Sequence, residues 1–198
     1  MNRAEELIKK SASQGDSVDR IARKVYLMLP THAFKDAYDI QLDLFSEISS
    51  FVDIPISSIH IIGSAKTGIS LVKGTTFSSE KSDIDIAIVD PSLYTKKFEH
   101  SFQISNGWKN LSTFSANPVD AANKRKQFLD YLDRGVFCPN CMPHSPDRAE
   151  WLSFFGRLSD TYSHFCNGIS AWIYASEYFL TYKQQSAIKK YLADKGLT

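Results

Sequence analysis

Ile59-His60-Ile61-Ile62-Gly63-Ser64-Ala65-Lys66, a polar loop, and then Ser82-Asp83-Ile84-Asp85-Ile86-Ala87-Ile88-Val89-Asp90 decide the reading of this chain. The apolar residues 59–62 predict a buried strand that runs into a Gly-Ser turn. Residues 84–89 predict a second buried strand, stopped by Asp90-Pro91. Side chains alternate along a strand, so Asp83 and Asp85 project to one face and Ile84, Ile86 and Ile88 to the other. Two carboxylates side by side repel unless a cation lies between them. Hard oxygen donors of this kind suit Mg2+, which one or two carboxylates and substrate phosphates commonly hold. The Gly63-Ser64 turn offers backbone N–H groups and a hydroxyl to a phosphate.

Working outward, the first fifty residues read as helical. Ser17 caps a helix through Ile21, Val25 and Leu29 toward Pro30. A longer helix is expected over 33–51, with Tyr38, Leu42, Phe45 and Ile48 on one face. Residues 63–81 form a turn and a Gly/Ser/Thr/Lys-rich loop, and 92–117 give no clear pattern. Helices are expected over 119–134, 147–162 and 176–193, and a strand over 169–174. The chain has 198 residues and a formal net charge of +1, which gives no global electrostatic case for nucleic acid or membrane surfaces. The charged start MNRAEELIKK has no apolar signal core, and no apolar run reaches the length of a membrane span. Three cysteines are too few for a disulfide scaffold, and a cytoplasmic protein without membrane partners is the expectation.

Ile62-Gly63-Ser64 followed by Ser82-Asp83-Ile84-Asp85-Ile86 resembles the signature of the nucleotidyltransferase superfamily that includes DNA polymerase beta. The resemblance implies an α+β nucleotidyltransferase fold: a mixed β-sheet flanked by helices, with N-terminal helices. It further implies a single domain over 1–198, with a helical part over 1–54 and a catalytic core and C-terminal helices over 55–198. Asp83 and Asp85 would be catalytic and hold Mg2+ or Mn2+. Gly63, Ser64, Lys66 and Ser82 would bind the nucleotide. The implied reaction transfers NMP or dNMP from a nucleoside triphosphate to a nucleotide, nucleic-acid or protein acceptor and releases pyrophosphate. Small stand-alone relatives occur in antiphage and toxin–antitoxin systems, so a partner effector or antitoxin protein is a further expectation.

Each residue also has a plainer reading. Asp83 and Asp85 could keep a strand edge soluble. Ser64 could be a simple turn residue, and Lys66 a solvated loop lysine. The family has a third carboxylate on a later strand, whereas the candidate strand Ile169–Tyr174 carries none. Asp160 or Glu177 could replace it, the site could work with two acids, or the chain could be a catalytically degenerate nucleotide-binding regulatory module. Cys138-Pro139-Asn140-Cys141 has half a zinc-knuckle spacing, with His144, His164 and Cys166 as remote completions; a Pro-rich loop with two thiols is the plainer reading. Trp172, Tyr174, Tyr178, Phe179 and Tyr182 could stack on a base or pack a core. One of Lys183, Lys189 and Lys190 could reach a phosphate, or all three could belong to a solvated helical face.

Overall fold

The computed structural model describes residues 2–197. Among these it shows an α+β arrangement of eight α-helices and one four-stranded mixed sheet. The elements are α1 (Arg3–Ser13), α2 (Val18–Arg23), α3 (Tyr38–Val52), β1 (Ile59–Ile62), α4 (Gly63–Thr67), β2 (Ile84–Val89), α5 (Pro91–Ile104), α6 (Pro118–Leu132), β3 (Val136–Phe137), α7 (Pro146–Thr161), β4 (Ile169–Tyr174) and α8 (Glu177–Asp194). The strand order is β1-β2-β4-β3. β1 runs antiparallel to β2, β2 parallel to β4, and β3 antiparallel to β4.

Strand alternation divides the interior into two packed layers. Ile59, Ile61, Ile84, Ile86, Ile88, Ile169, Ala171 and Ile173 face one way, toward α3, α6 and α7. Ile62, Ala87 and Tyr174 face the other way, toward α2 and α8, with Ile8, Ile21, Leu180 and Ile188. The expected division of 84–89 is met: Ile84, Ile86 and Ile88 are buried.

The helix starts follow from local chemistry. Ser17 caps α2, its Oγ accepting from Arg20 N at 3.2 Å. α2 does not run unbroken to Leu29; it loosens into a π-helical turn over Lys24–Met28 before Pro30. α3 begins at Tyr38, later than periodicity predicts. His32 N and Ala33 N instead donate to Lys66 O (3.1 Å) and Ala65 O (2.9 Å), which ties the preceding segment to α4. α5, in the stretch that had no clear pattern, starts where Asp90 Oδ1 accepts from Leu93 N at 2.7 Å and Pro91 fills the first turn. α6 and α7 begin the same way at Asn117-Pro118 and Ser145-Pro146. The Gly-Ser turn is itself the start of α4, one short helix.

Candidate functional site

Pairing of β1 with β2 sets Ile62 opposite Asp85, so the turn after β1 emerges beside that carboxylate. Gly63 has a positive φ of 63°, and a Cβ there would lie 2.8 Å from Asp85 Oδ2. Only glycine gives both that backbone conformation and that approach. On the other side of β2, register places Ser170 opposite Asp85, and the Ser170 hydroxyl donates to Asp85 Oδ1 at 3.4 Å. Asp83 precedes β2. Its Oδ1 accepts from Asn167 Nδ2 at 3.0 Å, and Gly168 lets the chain pass close to the same oxygen. The turn before β4 therefore fixes one acid, while β4 itself flanks the other.

A cleft of about 350 Å3 opens over Asp85, walled by Gly63, Ser170, Trp172, Lys183 and Gln184. β4 supplies Ser170 and Trp172 from alternate positions, so both share the face of Asp85. α8 supplies Lys183, whose Nζ lies 4.5 Å from the Trp172 ring centroid and 5.1 Å from that of Tyr131. Burial pulls the Lys183 pKa below its ordinary value, as does the positive charge of Arg134. Asp85 meets solvent at the floor of the cleft but is hemmed by protein. That desolvation, with the charge of Asp83, pushes its pKa up, and the Ser170 hydroxyl opposes the rise.

Other residues singled out by sequence lie elsewhere. Lys66 does not line this cleft. It is buried at 6 % exposure, and its ammonium donates to Leu29 O at 2.5 Å. The side chain expected to serve a phosphate thus lies away from Asp85, taken up by the folding of residues 29–33 against α4. Ser82 closes the preceding loop, its Oγ accepting from Ser78 N at 3.0 Å and its carbonyl from Asn167 N at 3.0 Å. Ser64 begins α4 beside Gly63, and its carbonyl accepts from Gly68 N. Neither substitute for a third acid reaches the cleft: Glu177 pairs with Arg23 at 3.7 Å, and Asp160 is exposed on α7. Among the described residues no group of three or more His, Cys, Asp or Glu side chains is placed to hold a metal. Cys138 and Cys141 meet each other, Sγ to Sγ at 2.6 Å, while Cys166 lies against Tyr162 O.

Sequence reasoning weighed Trp172 and the lysines of the last helix without joining them to the acids, and it gave Asn167 no part in the site. The usable signal was period two along β4, which sets Ser170 and Trp172 on one face once β4 is paired in parallel with β2. Tyr174 is buried, whereas Tyr178 and Tyr182 stack on each other at 5.9 Å on the exposed side of α8. Comparison with family models, curated proteins and solved structures returns no match.

Proposed function

We propose that the protein is a Mg2+-dependent nucleotidyltransferase whose sheet is a small version of the nucleotidyltransferase fold. The observation that carries this reading is the close approach of the Asp85 carboxylate to Gly63, with Asp83 two residues earlier, immediately before the strand that carries Asp85. The donor set fits a divalent ion. Burial and the charge of Asp83 raise the cost of ionising Asp85, a cation would relieve it, and phosphate oxygens of a nucleotide would complete the shell of Mg2+ or Mn2+. Bound there, the ion supplies charge stabilisation at the reacting phosphoryl group.

The chain's own part is positioning. Asn167 holds Asp83, and Ser170 braces Asp85. The Gly63-Ser64 backbone gives close access for a triphosphate tail. Lys183 places a cation across the cleft, and Trp172 offers an aromatic wall. The reaction moves NMP or dNMP from a nucleoside triphosphate to a nucleotide, nucleic-acid or protein acceptor and releases pyrophosphate. A place in bacterial antiphage defence, with an effector or antitoxin partner, rests on the family resemblance alone.

Ser170 favours a second reading, a nucleotide-binding module without turnover. It occupies the position beside Asp85 where a third carboxylate would complete an acidic triad. The experiment is incubation with each NTP and dNTP in Mg2+ or Mn2+, with pyrophosphate release and mass spectrometry of products and protein. Turnover that is lost in Asp85→Asn supports the enzyme. Metal-dependent nucleotide binding without pyrophosphate supports the module. Absence of such binding overturns both.

A further inference from the structure

Away from the Asp85 cleft, a second concave region lies between the π-helical turn, α3 and edge strand β1. Its larger part is a groove of about 430 Å3 lined by Leu29, Leu42, Phe45, Ile56, Ile59 and Ile61. Leu42 and Ile56 are 54 % and 39 % exposed there, and Tyr38 at the mouth is 64 % exposed. A smaller cavity of about 170 Å3 adjoins it, and Leu29, Pro30, Thr31 and Lys66 form part of the lining of both. The smaller cavity gathers Arg3, His32, Lys35 and Lys66, and no carboxylate lines either space. Lys35 has a long contact of 3.9 Å with Asp36, which is 85 % exposed and turned to solvent. Lys66 is the decisive group: its ammonium has a single acceptor, the Leu29 carbonyl, and no acid within ion-pair distance among the described residues. Burial without a counter-charge lowers its pKa to about 8.

A buried cation beside an acid-free basic cavity has charge complementarity for an anion. An apolar groove opening from the same wall has complementarity for a hydrocarbon chain, and its size falls in the range of small-molecule sites. We infer that this region binds a small aliphatic carboxylate, with the head group at Lys66, Arg3 and Lys35 and the chain along Leu29, Leu42 and Ile59. The site is distinct from the nucleotide reading and stands without it. Leu42 and Ile56 then cover the chain, which accounts for their unpartnered position on the surface.

The test is calorimetric titration of the full chain with decanoate and with decanol, which has the same chain and no charge. Saturable decanoate binding at low-millimolar concentration or below, at least roughly tenfold tighter than decanol, is expected from a charge-assisted head-group contact. Lys66→Met removes the preference for the acid and leaves decanol binding in place. Arg3→Gln and Leu42→Glu change exposed side chains, so they report even if Lys66→Met does not fold. The first weakens decanoate alone, and the second weakens both ligands. Absence of saturable decanoate binding, equal affinity for decanol, or decanoate binding unchanged by Arg3→Gln and Leu42→Glu overturns the proposal.

Discussion

At the scale of single residues, Asp85 is under electrostatic tension. Crowding and the charge of Asp83 raise its folded pKa above its unfolded value. Between those values the folded chain holds a proton that the unfolded chain has released, so this group's contribution to stability falls as pH rises through that window. Asp85→Asn should therefore keep or raise the melting temperature at neutral pH, flatten that pH dependence, and abolish turnover. A melting temperature well below wild type would identify Asp85 as a structural group instead. Gly63 belongs to the same argument. Gly63→Ala places a Cβ against Asp85 Oδ2 and forces a left-handed backbone onto alanine, at a cost of about 1–2 kcal/mol before the clash is counted. Activity should fall much further than stability, by comparison of turnover with a denaturant melt. Sequence made this pair legible, because period two and a Gly-Ser turn are local signals. It did not place Lys66. Whether that side chain turns to the cleft or to Leu29 depends on a contact 37 residues away.

At the scale of elements, the chain uses one device three times: Asp90-Pro91, Asn117-Pro118 and Ser145-Pro146 each put a capping side chain before a first-turn proline. Read from sequence, Asp90-Pro91 marks the end of β2. The same dipeptide also starts α5, which is why the helix over 91–104 had no clear pattern while its N-terminal signal was in plain view. Asp90→Ala should cost about 1 kcal/mol, visible as a lower denaturation midpoint with an unchanged slope. β4 was legible from its Ile/Ala/Trp/Tyr pattern. β3, at two residues, is set by its antiparallel pairing with Tyr174 and Ile173 and carries no periodicity to read. The early start expected for α3 fails for a tertiary reason: residues 32 and 33 give their N–H groups to α4.

At the scale of the whole molecule, one thin sheet carries both packed layers. α1 and α2 are part of this arrangement: the Tyr191 hydroxyl of α8 donates to Glu5 Oε1 at 2.9 Å, and α8 shares its apolar layer with Ile8 and Ile21. Ile86→Ala in one layer and Ile188→Ala in the other should each cost about 2–5 kcal/mol. Both should shift a single cooperative transition, with far- and near-ultraviolet circular dichroism changing together. Two separate transitions would mean the layers fold independently. The three tryptophans are distributed unevenly across this frame. Trp151 is sealed in the interior, Trp108 is packed among Phe98, Phe102 and Phe128, and Trp172 stands on the cleft wall beneath the Lys183 ammonium. The molecule thus carries its own optical gauge: a solute admitted over Asp85 alters the emission of one indole and leaves the other two dark to the event, so occupancy can be followed without a label.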